Sequence, residues 1–121
     1  MSELRHVKRS ELTFDAYGGP PGKAEIARLF GSRSPNPTTT MGAGIAVFED
    51  CSIPWKLLYD EVICVLEGHF RLRAGDETYE CEPGDVLWIP ENTEIAYESD
   101  GRSVIFYTLY PENWREVHGI T

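Results

Sequence analysis

Residues 54–68 constrain this chain more than any other stretch, because they are largely apolar on both faces yet carry a carboxylate in the middle of one of them. In an extended strand successive side chains point to opposite sides. Trp55, Leu57, Tyr59, Glu61, Ile63 and Val65 then share one side, and Lys56, Leu58, Asp60, Val62 and Cys64 share the other. A strand apolar on both faces is sandwiched between an inner filling and an outer layer, as in a small closed sheet. A carboxylate among apolar neighbours is costly unless it is paired or used, so the row holding Glu61 is the candidate site.

The rest of the chain repeats the same short-strand pattern. Residues 4–14 read as an edge strand followed by a turn, residues 17–22 as a Gly/Pro loop, and residues 23–30 as a strand. Residues 32–40 form a second loop, polar and long enough to lid a cavity. Further strands are expected at residues 42–49, 69–73, 78–82, 86–89, 93–97 and 103–110, with turns at 50–52, Gly68, 74–77, 83–85 and 99–101. The wholly apolar residues 86–89 should be buried on both faces. Regular strands separated by Gly, Asp and Pro turns predict an all-β sandwich or small barrel.

Charge and cysteine usage narrow the partners. At 121 residues the chain makes one domain, and its 41% apolar and 26% charged residues are ordinary for a globular one. A net charge of −9, with no Lys/Arg run to offset it, repels phosphate backbones and anionic membranes. Neither nucleic acid nor a membrane is expected as a partner. Cys51, Cys64 and Cys81 are odd in number and lack a CxxC pairing, which argues against disulfides and thiolate zinc and for a reducing cytoplasm. Residues 1–20 develop no secretory apolar run and no segment reaches transmembrane length, so a soluble, cytoplasmic protein is expected.

The stretch from Trp55 to Gly68, followed by Pro83, Gly84, Asp85 and Pro90, resembles the two motifs of the cupin superfamily. Glu61 and Gly68 keep the glutamate-to-glycine spacing of its first motif, and Gly84 and Pro90 the glycine-to-proline spacing of its second. The histidines of that superfamily are missing. Trp55 and Leu57 stand where the first two would fall, or Pro54 and Lys56 with a spacer one residue longer, and Ile95 stands at the third. The Pro-Trp start, the Tyr-Asp-Glu centre, the Leu-Glu-Gly turn and residues 111–114 (Pro-Glu-Asn-Trp) resemble the EutQ-like cupins of ethanolamine utilisation. The resemblance covers residues 43–114. Asn92 stands where most cupins have glycine, and asparagine tolerates the left-handed turn.

The resemblance implies a single-domain all-β cupin, a jelly-roll β-barrel that forms a homodimer. Residues 43–121 would be its core, and residues 1–42 edge strands and loops packed on the barrel or on a partner subunit. It also implies small amine or alcohol metabolism, a microcompartment association and an acetate kinase-like activity, although full-length members carry a further N-terminal region and this chain has no P-loop.

The usual cupin site offers three imidazoles and one carboxylate to a transition metal. Trp55, Leu57 and Ile95 cannot coordinate one, and His6, His69 and His118 sit near a terminus, directly after a turn and in the C-terminal tail, where no spacing brings them to Glu61, so neither metal nor cofactor is expected. A site of oxygen ligands, Glu61 with Glu49 or a tyrosine, stands as the metal alternative. Glu61 itself has two readings. It is a general acid or base raised toward neutrality by burial, with Tyr59 as its partner, or it is a structural glutamate bonded to the hydroxyl of Tyr59 or Tyr97. The expected small polar ligand would meet Trp55, Leu57, Ile95 and Tyr97, with Lys56 as an anion clamp. The competing reading is a non-catalytic binding or assembly module with a vestigial pocket.

Overall fold

The computed structural model describes residues 4–17 and 23–120. A 3-10 turn at Arg9–Glu11 leads into β1 (Asp15–Ala16), β2 (Lys23–Phe30), β3 (Gly42–Lys56), β4 (Asp60–Glu67) and β5 (Phe70–Ala74). β6 (Glu77–Cys81), β7 (Val86–Ile89) and β8 (Glu94–Tyr110) follow, and a one-turn helix α1 (Trp114–Val117) lies near the end. The strands pair antiparallel in the order β1, β2, β3, β8, β4, β7, with β5 joined to β8 and β6.

Two long strands organise the molecule. β3 and β8 pair from Gly42 opposite Leu109 to Lys56 opposite Glu94. Both bend midway, where the register shifts between Glu49 and Cys51 and Asp50 adopts φ 47°. The carboxylate of Asp50 accepts the backbone N–H of Gly101 at 2.7 Å, which locks the two bends together. A bulge of this kind turns a strand from one layer into another without ending it. One half of the β3–β8 ribbon therefore joins β2 and β4, the other half joins β5, and the two layers face each other across the core. Phe48, Phe70, Ile63 and Val65 are fully buried between them, each contributing roughly 1.5–3 kcal/mol of apolar burial.

The inner row of residues 54–68 keeps its parity. Leu57, Tyr59, Glu61, Ile63 and Val65 are all buried, whereas Lys56, Val62 and Leu66 are exposed. The row is not one strand, however: β3 ends at Lys56 and β4 begins at Asp60, with a bend between that Asn92 secures by donating its N–H to the carbonyl of Leu57 at 2.8 Å. Asn92 does so at φ 75°, the left-handed conformation expected of it.

Other expectations fail for related reasons. Residues 50–52 and 99–101 are not strand-ending turns, because a bulge lets hydrogen bonding continue through both. Residues 93–97 and 103–110 are consequently parts of one strand, β8. Residues 4–14 contain the 3-10 turn and no strand. Val86–Ile89 is buried on one face only: Val86 and Trp88 are 61% and 63% exposed on the outer side, beside Val62. The expected loop at residues 17–22 lies, apart from Tyr17, outside the described residues.

Candidate functional site

The two layers enclose a cavity of about 370 Å³. Each wall has a definite origin. β3 supplies Ala46, Phe48, Ile53 and Trp55; β4 supplies Glu61; β8 supplies Tyr97, Ile105, Tyr107 and Leu109. Exposed Ser32 and Arg33 from the loop after β2, with Glu112, Trp114 and Arg115 from the C-terminal segment, form its mouth. Gly44 makes room for the Tyr107 ring, since a Cβ there would stand 2.5 Å from the Tyr107 hydroxyl and 2.6 Å from the carbonyl of Ala27.

Glu61 is 4% exposed and lines this cavity. The Tyr97 hydroxyl donates to its Oε1 at 2.8 Å. No side-chain oxygen fully buried among the described residues lacks a partner, so Oε2 reaches the cavity space. Removal from water pushes the carboxyl up to about 7, and the hydrogen bond from Tyr97, which favours the ionised form, opposes that shift only in part. Burial likewise raises the phenols: Tyr17 and Tyr107 to about 12, Tyr59 higher still, and Tyr97 well above its ordinary value. All four remain proton donors at neutral pH.

An aromatic wall surrounds the carboxyl. Tyr97 stacks on Phe48 at 5.7 Å, and Trp114 packs on Tyr59 and Trp55 at 5.2 and 6.1 Å. The Trp55 indole N–H donates to the Tyr59 hydroxyl at 3.2 Å. Tyr59 therefore lines the cavity without bonding Glu61; the hydroxyl on the carboxylate is that of Tyr97.

The structure brings Glu61, Tyr59, Trp55 and Tyr97 together and separates the other three residues named from sequence. Leu57 and Ile95 point inward but are consumed by the core, 0% and 6% exposed, and do not line the cavity. Lys56 stands opposite Glu94 in the strand register, on the other face of the ribbon, and is exposed, because it has the other parity from Trp55. Sequence reasoning missed Tyr17, Arg28, Arg33, Glu112 and Arg115 as lining residues. Only the Pro-Glu-Asn-Trp run gave any signal, and it marked the segment that carries Glu112 and Trp114.

The donor set does not fit a three-imidazole metal. Neither Trp55 and Leu57 nor, in the alternative register, Pro54 and Lys56, nor Ile95 supplies an imidazole; none of the three histidines lines the cavity, and no group of three His, Cys, Asp or Glu among the described residues could hold a metal ion.

Fold and site together define a cupin barrel whose imidazole positions are taken by apolar side chains. The profile of the family described as "Ethanolamine utilisation protein EutQ" matches residues 14–116. A curated relative from Salmonella typhimurium, named acetate kinase EutQ, is 34% identical over 79 residues, covering 65% of this chain and 34% of the relative. The chain thus spans about a third of that relative's length, 34%. A crystal structure of ethanolamine utilization protein Q from Salmonella typhimurium superposes with a TM-score of 0.81 at 27% identity, covering 91% of this chain and 88% of that one. The polyketide cyclase RemF from Streptomyces resistomycificus, 15% identical, shares the fold with a TM-score of 0.76 over 96% of this chain and 94% of its own. The chain belongs to the EutQ family of ethanolamine utilisation, within the cupin fold.

Proposed function

We propose that the cavity binds a small molecule and that Glu61 moves a proton to or from it. The observation that supports this reading is a carboxyl that opens onto a 370 Å³ cavity, has no cationic partner and is raised to about 7 by burial. A general acid or base works best when its pKa lies near the working pH. Proton abstraction next to a carbonyl or imine, with isomerisation or elimination to follow, needs no more from the protein than this base and a phenol such as Tyr97 to orient it. Trp55, Tyr59 and Trp114 supply an aromatic, largely apolar wall for the body of the ligand. The size of the cavity favours this reading over a vestigial pocket, since ligand sites begin at roughly 300 Å³.

The experiment is a pH–rate profile on a panel of small amines, amino alcohols, aldehydes and short acids, for the parent protein and Glu61→Gln. The expected result is an ionisation near pH 7 in kcat/KM, and turnover about 10²–10⁴-fold lower in the variant, which stays folded. Unchanged turnover in Glu61→Gln removes Glu61 from the mechanism.

A second reading comes from the name of the curated relatives, acetate kinase. Formation of acetyl phosphate from acetate and ATP tests it directly. Self-association is proposed through the outer face of β8, β4 and β7, where Val62, Val86, Trp88 and Tyr110 are exposed; light scattering after gel filtration decides it. No helix among the described residues is long and apolar enough to cross a membrane. A cytoplasmic location remains part of the proposal.

A further inference from the structure

Three arginines line the cavity: Arg28 from β2, Arg33 from the loop after it and Arg115 from α1. Arginines elsewhere are all engaged, Arg5 by the carbonyl of Pro37 and the others by carboxylates. Arg9 and Arg102 pair with Glu67, Arg71 with Glu98 and Asp100, and Arg73 with Glu98. Among the described residues none of the cavity three forms an ion pair or a side-chain hydrogen bond. This happens in a chain with 20 acidic residues against 11 basic ones, where partners are plentiful.

The three are also held together. The carboxylate of Glu112 accepts the N–H of Ser32 at 2.7 Å, and the Glu112 N–H donates to the carbonyl of Thr40 at 3.0 Å. These bonds pin the loop that carries Arg33 to the segment that carries Arg115. The Arg115 guanidinium lies over the Trp114 ring at 4.0 Å, which fixes its plane. Arg28 and Arg115 are half-buried, Arg28 on the inner face of β2 with Ile26. The charges oppose one another: after burial, Arg33 and Arg28 are the next causes that lower the Arg115 pKa. The acidic groups facing the same cavity are Glu112, tied to Ser32, and Glu61, tied to Tyr97.

Unpaired guanidiniums gathered at a partly desolvated cavity create a strong positive potential, and their planar forks match carboxylate and phosphate oxygens. We propose that the ligand is a small organic anion, a carboxylate or a phosphate monoester, whose charged group rests on Arg28, Arg33 and Arg115 while its body lies on Trp55, Tyr59 and Trp114. It rests on the reading of Glu61 only in placing the ligand's reacting end toward that carboxyl. The arginines set which molecules enter, and Glu61 sets what happens to them.

The test is isothermal titration calorimetry of the full chain with three matched probes, benzoate, phenyl phosphate and benzyl alcohol. At least one anion should bind about tenfold or more tightly than the alcohol, with an affinity that falls as salt is added. The preferred anion tells carboxylate from phosphate. Arg28→Gln and Arg115→Gln should each weaken it by about tenfold or more, as expected for loss of a charge-assisted hydrogen bond. Arg33→Gln, on an exposed loop where folding is not at stake, should weaken it in the same direction. Glu61→Gln should still bind the anion, so failure of the acid–base reading leaves this result standing. Anions that bind no better than benzyl alcohol, or arginine variants with unchanged affinity, overturn the proposal while leaving the titration of Glu61 untouched.

Discussion

Glu61 and Glu98 are buried glutamates on the paired strands β4 and β8, and the barrel treats them in opposite ways. Glu98 accepts from Arg71 at 2.9 Å and from Ser52 at 2.8 Å, and pairs with Arg73 at 2.8 Å. The Arg71 hydrogen bond, foremost among these, holds its carboxyl below the usual range. Glu61 has one neutral phenol and no cation, and is pushed up to about 7. Burial alone therefore does not decide the charge state of a carboxylate; its partners do. Glu98 is an anion at neutral pH that ties β3, β5 and β8 together, whereas Glu61 can gain or lose a proton there.

The largest expected consequence is in stability against pH. The folded value for Glu61, about 7, stands above the ordinary 4.5, so the folded state holds this proton more tightly. That contribution is complete below pH 4.5 and is lost as pH rises through about 7. Over those two and a half pH units, at roughly 1.4 kcal/mol per unit, the loss is about 3.5 kcal/mol. Urea denaturation of Glu61→Gln from pH 4 to 8 should show that slope removed, with the variant more stable than the parent at pH 8 and close to it at pH 4.

Glu98 should behave in the opposite sense. Its lowered value means that its contribution is present above the ordinary 4.5 and is lost as pH falls through the folded value. Arg71→Ala should cost about 1–2 kcal/mol at pH 7, because it removes one charge-assisted bond from Glu98, which keeps Arg73 and Ser52, and should shrink the acid-side loss. Denaturation of that variant at pH 7 and pH 3 measures both effects.

Smaller changes separate the two sites further. Tyr97→Phe removes the donor on Glu61 and should cost about 1 kcal/mol while moving the Glu61 ionisation to still higher pH. Lys56→Ala should change stability by less than about 0.5 kcal/mol and leave probe binding in the cavity unaltered, since Lys56 lies exposed on the outer face. An effect of Lys56→Ala on binding would restore it to the site.

The asymmetry between the two glutamates was only half legible in the sequence. Period-two alternation placed Glu61 on an inward row with Trp55 and Tyr59, and that geometry survives even though the row bends between Lys56 and Asp60. Alternation says nothing about which inward residues fill the core and which border a void. Leu57 and Ile95 were therefore misplaced into the cavity. Asp50 and residues 99–101 look like turns because turns and bulges favour the same residues; only the long-range bond from Gly101 to Asp50 distinguishes them. Arg28, Arg33 and Arg115 come from a strand, a loop and a helix, and no local pattern announces that the fold brings them to one cavity. The cupin resemblance supplied the frame, and its glutamate-to-glycine spacing pointed to a carboxylate that lines the cavity.

The most direct measurement is the titration of the Glu61 side-chain carboxyl by ¹³C NMR, assigned by its loss in Glu61→Gln. A midpoint near the expected value of about 7 supports an uncompensated carboxyl poised to exchange a proton. A midpoint at or below the ordinary 4.5 would show Glu61 to be a stabilised anion like Glu98, and would contradict the account.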